Sequence, residues 1–245
     1  MQHKTLPLLC LALFSGGCFA QSTPAPNYSL SYNAALASDY RFRGISQSRF
    51  DPALSAGIDF SHKSGLYLGA WASSIRRIKD AGGNADAEFD LYGGYRGTAG
   101  DLGYDLGVLR YLYPSAKLAS PGPYTTEVYG ALTYGWLTAK YSHAVTDTFG
   151  FVDSRNSGYL DLSASFDLGK GWSIVPHVGH QRIAGTGNSF FSYTDYALTV
   201  NHDFGNGLVA SAAALGTNAR RGAYVTPSGR NTGRDALVLS IKATF

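Results

Sequence analysis

Histidines, serines and carboxylates are the side chains here with chemistry to offer, and their spacing decides which chemistry. The sequence has six histidines; His62, His143, His177, His180 and His202 show neither His-x-His nor His-x-x-x-His spacing, so no metal centre is expected. His3 lies in an N-terminal leader. A barrel enzyme acting on lipids would need serine, histidine and an orienting polar group converging on one face. Ser142 and His143 are adjacent, so on a strand they face opposite sides. Ser173 and His177 share a face but stand roughly 13 Å apart, beyond hydrogen-bond reach. No enzyme and no cofactor are expected. Both cysteines, Cys10 and Cys18, fall in the leader, so the mature chain has no disulfide, thiol nucleophile or cysteine-held metal.

The carboxylates follow a different rule. Glu88, Asp90, Tyr92 and Gly94 alternate with Phe89, Leu91, Gly93 and Tyr95; Asp105 sits between Tyr104 and Leu106, Asp161 between Leu160 and Leu162, and Asp195 beside Tyr196. Period-two alternation puts the acids on one face of a strand and the apolar side chains on the other. Glu88, Asp90, Asp105, Glu127, Asp161 and Asp195, with Lys242 from the last run, are therefore expected to line a common interior, a pore. Arg96 and Lys140 join them nearer one end.

The elements that carry this face are legible in the last ten residues, where Leu237, Leu239, Ile241, Ala243 and Phe245 alternate with Val238, Ser240, Lys242 and Thr244. A soluble protein would leave that terminal aromatic as an apolar tail on an open edge, whereas a closed membrane barrel places it against lipid. At the other end, Met1 to Ala20 carries Lys4, an apolar run from Leu6 to Phe14 and small residues before Ala20. This reads as a secretory signal on residues 1–20, leaving 21–245 as one barrel domain. Ser15 stands where a lipoprotein signal would carry Leu or Val, three before Cys18.

Composition agrees. The chain has 30 Gly, 17 Tyr, 13 Phe and only 15% charged residues, with a formal net charge of +3, too small to steer it to nucleic acid. No stretch after residue 20 approaches the ~18 to 20 consecutive apolar residues of a spanning helix. A spanning structure would have to be a barrel.

Strands are predicted near 28–42, 52–62, 64–75, 86–97, 100–112, 124–136, 138–146, 157–168, 171–183, 191–203, 207–217 and 234–245. The fold class is thus all-β, a transmembrane antiparallel β-barrel of about twelve strands, with short periplasmic turns, longer external loops and both termini periplasmic. Phe60, Tyr95, Tyr104, Trp136, Tyr141, Phe166, Trp172 and Phe204 sit near the turns as an interface belt. A soluble sandwich or lipocalin-like barrel shows the same period but would carry mixed charges on its polar face, where this chain has mostly Gly, Ala, Ser, Thr and Asp.

Arginines gather in the long connections. Arg41, Arg43 and Arg49, then Arg76, Arg77 and Lys79, then Arg220, Arg221, Arg230 and Arg234 are expected as a basic external rim for lipopolysaccharide phosphates or anionic solutes. Arg41 and Arg43, two apart, have the alternative of reaching into the mouth of the lumen and neutralising its acids.

The run Ser38-Asp39-Tyr40-Arg41-Phe42-Arg43-Gly44-Ile45-Ser46-Gln47-Ser48, followed by Pro52-Ala53-Leu54 and Ser64 to Ser74, resembles the opening of the TorF family of exported bacterial porins. The resemblance continues through Glu88 to Tyr95, Tyr111-Leu112-Tyr113-Pro114 and Glu127-Val128-Tyr129, covering about half of the mature chain. It implies an outer-membrane pore and names no solute. The expected function is a passive diffusion channel for small hydrophilic solutes or ions, with a modest cation preference. A narrow or plugged barrel acting as adhesin or structural outer-membrane protein is the alternative. Expected partners are outer-membrane lipids and lipopolysaccharide, the barrel assembly machinery, with Phe245 as its signal, and the solutes themselves; no nucleic acid is expected.

Overall fold

A computed structural model describes residues 26–118 and 120–245. The signal expected on residues 1–20 lies outside the described residues. The chain winds into strands β1 (Tyr28–Ala37), β2 (Ala53–His62), β3 (Leu66–Ser74), β4 (Ala87–Ala99), β5 (Leu102–Leu112) and β6 (Thr125–Tyr134). It continues through β7 (Leu137–Ala144), β8 (Gly158–Ala164), β9 (Trp172–Arg182), β10 (Tyr193–Asp203), β11 (Leu208–Thr217) and β12 (Ala236–Thr244). Strand β8 breaks at Ser165 and resumes as Phe166–Gly169 on the same neighbour.

Each strand pairs antiparallel with its chain neighbours, and β1 pairs with β12, Asn33 opposite Thr244 and Ala37 opposite Ser240, so twelve strands close into a barrel. The seam is extended by Tyr32 and Phe245, whose backbone groups exchange hydrogen bonds of 2.8 and 3.0 Å. Closure matters because an unpaired amide in hydrocarbon costs several kcal/mol, about as much as a domain's net stability when a few are left open.

Side chains obey the alternation. Leu30, Leu54, Leu68, Leu91, Leu106, Leu132, Leu198 and Leu239 point outward and are exposed, an apolar band on a surface that water would not tolerate. A strand of ten residues tilted by about 40° rises roughly 25 Å, the height of the hydrocarbon band of such barrels. At the short-turn end aromatic rings of the expected belt pack in pairs: Tyr28 stacks on Phe60 and Tyr95 on Tyr104, Trp136 lies tilted on Phe166, and His202 sits between a tilted Trp172 and an edge-on Phe204, while Tyr141 lies apart beside His143.

The inner wall carries a repeated fit. Tyr92 lies across Gly69 of the neighbouring strand, Tyr67 across Gly94, Tyr129 across Gly107 and Tyr159 across Gly179; at each glycine an added Cβ would strike the ring. Tyrosines that would obstruct a lumen if they stood upright thus lie flat in notches of the wall.

Two expectations need correction. The first strand was expected to run to residue 42 but ends at Ala37, because Ser38 to Ser48 turns inward as a small hairpin in which Arg41–Phe42 pairs with Ile45–Ser46. Its tip is Arg43-Gly44 at φ 48° and 77°, a left-handed turn that glycine supplies without strain. The long connections, expected as external loops carrying a basic rim, pack on one another and on this hairpin. Ile75, Ile78, Ala85, Tyr111, Tyr113 and Ala116 form one buried cluster, on which the Phe42 and Phe149 rings pack edge-on with Tyr111, and Ile45, Tyr193 and Tyr224 form another.

The notch at Gly69 makes a prediction. Gly69→Val should lower stability in urea unfolding of the detergent-solubilised barrel by about 1–3 kcal/mol. In a Tyr92→Leu background the same change should cost clearly less, and equal costs in both backgrounds would show that the ring is not what the side chain meets.

Candidate functional site

All seven residues expected to line the interior sit on the inner face of the wall, where strand register brings them to different heights. Asp90 faces Trp71 across β3 and β4, and Arg96 faces Asp105 across β4 and β5. Glu127 lies level with Leu109, and Lys140, Asp161 and Asp195 follow one another around the wall through Gly179. Lys242 faces Val209 and Ala35 near the short-turn end.

A cavity of about 600 Å³ occupies the interior along this part of the wall. Ser31, Asn33, Asp59, Tyr67, Trp71, Asp90, Tyr92, Arg96, Asp105, Tyr129, Lys140 and Lys242 line it. Its polar groups are held in place by one another. Tyr92 donates to Asp59, which also accepts from Asn33 at 3.3 Å, while the Tyr67 hydroxyl bonds Asp105 at 2.6 Å and meets the Tyr129 hydroxyl. Lys140 caps the Tyr129 ring at 3.9 Å and Arg96 lies 5.2 Å from the Tyr67 centroid. The wall of the cavity is therefore wettable and stiff, the two properties a solute path requires.

On the far side, His177 is not a lone histidine. Its Nε2 lies 2.8 Å from Asp161 and its Nδ1 3.5 Å from Asp195, and the Tyr159 hydroxyl donates to Asp195 at 3.0 Å. Among the described residues the partners of its ring nitrogens are these two acids and the Tyr159 hydroxyl. Ser142 is buried on the inner face while His143 lies on the outer one, bonded to Asn156. Ser173 instead accepts from Asn201, on β10, at 3.2 Å.

The inward hairpin corrects the expected rim. Arg41 and Arg43, expected on the external rim with the mouth of the lumen as the alternative, are buried, with side chains 4% and 7% exposed. Arg41 pairs with Asp39, whose other oxygen accepts from Ser46 and Ser48. Arg43 reaches into the barrel and donates to Glu127 at 2.7 Å and to Gln181 at 2.6 Å, with its guanidinium 4.2 Å from the Tyr159 centroid. Burial alone would lower the Arg43 pKa, but the Glu127 carboxylate holds it above the ordinary arginine value. The physical reason for the inward turn is this site, which offers a carboxylate, an amide oxygen and aromatic faces together. Arg49 pairs with Asp80, and Arg77 lies 5.3 Å from the Tyr224 centroid. Arg76, Arg220 and Arg221 remain exposed at the long-loop end. Lys79 bonds Asp86 at 3.1 Å and holds its carboxyl below the usual range.

Above the cavity the loops fill the mouth. Tyr40 donates to Glu88 at 2.6 Å and stands edge-on to Trp71; burial, then the Glu88 charge, keeps its phenol well above its ordinary pKa. A residual void of about 30 Å³ among Phe42, Ile45, Tyr113, Phe149, Tyr193 and Tyr224 has room for about one or two waters.

Several interior residues escaped the sequence. Asp59 alternates with Ile58 and Phe60 exactly as the named acids do with their neighbours, so its signal was present. Tyr159 and Gln181 carried none, since their roles arise only when Arg43 enters from a distant loop.

A double-variant cycle tests the plug. Arg43→Ala leaves Glu127 buried and unpaired and should cost about 3–5 kcal/mol in urea unfolding. Arg43→Ala with Glu127→Gln should recover a large part of that loss, and strict additivity of the two changes would count against the pair.

Solved structures with this architecture exist at low identity. A structure described as KdgM porin superposes with a TM-score of 0.55 at 7% identity, covering 88% of this chain and 98% of that one. KdgM porin in complex with disordered oligogalacturonate gives a TM-score of 0.54, with the same identity and coverage. At such identity the likeness is one of fold. No curated protein matches the chain in sequence. The family model for Gcw_chp, described as bacterial protein of unknown function, matches residues 21–245, and the chain belongs to that family.

Proposed function

We propose that the chain is an outer-membrane channel that passes small hydrophilic solutes or ions through a narrow, loop-restricted path, as its resemblance to the TorF porins also implies. The observation that carries this reading is a polar cavity of about 600 Å³ inside a closed barrel whose outer face is apolar. Width supports it. Eight strands leave an interior just filled by side chains and sixteen to eighteen leave an open aqueous pore, so twelve leave room for a thin water column. The mechanism is physical: water replaces hydrocarbon along the path, and lining charge with the loop constriction selects what passes.

In this reading the short turns face the periplasm, with both ends of the barrel chain, and the packed loops face outward. The exposed Arg76, Arg220 and Arg221 would contact lipopolysaccharide phosphates, and Phe245, docked into the seam, would be read by the barrel assembly machinery. A plugged barrel with an adhesive or structural role is favoured by one observation, the buried clusters that fill the mouth.

Single-channel recording in a planar bilayer separates these. Discrete steps of small conductance are expected, enlarged in Arg43→Gly, whose hairpin loses its anchor. A protein that inserts, shows heat-dependent gel mobility and conducts nothing in either form would favour the structural role.

Charge selectivity gives a second test. Arg43 neutralises Glu127, and the cavity holds three bases, Arg96, Lys140 and Lys242, for three acids, Asp59, Asp90 and Asp105, so the modest cation preference expected comes from the remaining inward acids Glu88, Asp161 and Asp195 and fades at high salt. Under a salt gradient Arg43→Gln should move the reversal potential toward stronger cation preference and Glu127→Gln the other way. Shifts of the same sign, or none, would remove both residues from the conducting path.

A further inference from the structure

Among the described residues, the carboxylates inside the barrel are matched to partners with one exception. Glu127 has Arg43, Asp161 and Asp195 share His177, Asp59 accepts from Tyr92 and Asn33, Asp105 from Tyr67, and Glu88 from Tyr40. Asp90 is 9% exposed and lines the cavity, yet among the described residues it has no hydrogen-bond or ion-pair partner, and its Oδ1 is buried without one. An ionised carboxylate in such a place is costly unless something else balances it.

The surroundings say what that would be. Asp90 lies directly opposite Trp71 on the inner face, with Tyr92 and Glu88 at the neighbouring inward positions of its own strand. The Tyr40 ring stands edge-on to Trp71, so this is the end of the cavity next to the loop plug. Arg96, on the same strand six residues away, stands roughly 20 Å along the strand toward the short-turn end, and the cavity between them has the volume for a small organic molecule. An aromatic face beside an unpaired carboxylate attracts a cation that is itself partly apolar. A bare metal ion finds less there, since hard cations take six or more oxygen ligands and no group of three metal-ligating side chains occurs among the described residues. A neutral polyol would leave the charge unbalanced.

We propose that the loop-side end of the cavity at Asp90 is a binding subsite for an organic ammonium group, held by the Asp90 carboxylate against Trp71. The solutes it selects are amine-bearing. The assignment rests on the interior being a solute path, but its test does not depend on ion flow.

Purified barrel in detergent is titrated with n-butylammonium chloride at constant ionic strength, read by calorimetry and by tryptophan fluorescence. Saturable binding is expected, weakened at least tenfold by Asp90→Asn and several-fold by Trp71→Leu, and unchanged by Asp235→Asn in the loop region. Glucose, or potassium chloride in place of the amine, should give no saturable signal. Asp90→Asn should also raise the urea midpoint, because it removes an unbalanced buried charge, whereas Glu127→Gln should lower it; this separates a ligand-holding residue from a structural one. Absence of saturable binding, binding unaffected by Asp90→Asn, or glucose binding with the same dependence on Asp90 would overturn the proposal. A protein that binds butylammonium but conducts no current would sink the channel reading alone. One that conducts without binding would sink this proposal alone.

Discussion

A backbone amide in hydrocarbon has no partner except another strand, and everything else in this molecule follows from that. The ladder must close, so β12 must return to β1, and every residue between them is assigned to lipid or to lumen by its parity along the strand. Parity then concentrates polarity inside. Seven carboxylates, Asp59, Glu88, Asp90, Asp105, Glu127, Asp161 and Asp195, face a space that water reaches only in part, and the interior is organised around answering them.

The answers differ with height. In the open cavity the acids are met by phenols lying flat over glycines, an arrangement that satisfies a carboxylate while keeping the wall thin. Under the plug they are met by charge, with Arg43 brought in from the first long connection and His177 set between two acids. One interior thus combines a wettable half with a sealed half, and the boundary runs through Trp71, Tyr40 and Glu88.

How much of this was legible depends on the range of the interaction. Strand number, the inward acids and the turn-side aromatic belt are set by neighbours one and two residues away, and the alternation around Asp90 or Leu239 displays them directly. The plug is not local. Arg43 meets Gln181 across 138 residues of sequence, and its side chain looks the same in the sequence whether it ends in solvent or on Glu127. The first strand was overextended for a related reason: Tyr40 and Phe42 continue the alternation of β1, but their rings are buried by Trp71 and Phe149 rather than by lipid. Likewise His177 becomes part of a cluster only when β8 and β10 flank β9.

The seam between β1 and β12 also sets the order in which the molecule can come into being. Every other strand pair joins chain neighbours, so hairpins from β1 to β11 can zip locally, whereas Asn33 waits for Thr244. Bringing those ends together closes a loop of about two hundred residues, an entropic cost that rises only as the logarithm of length but is met all at once. Until then both edges lie open, and the nascent sheet is a template for pairing with another copy of itself. The pairing of β12 with β1 is the one ladder that local zipping cannot supply, and any factor that shields the β1 edge during that wait acts on yield without touching the stability of the finished fold.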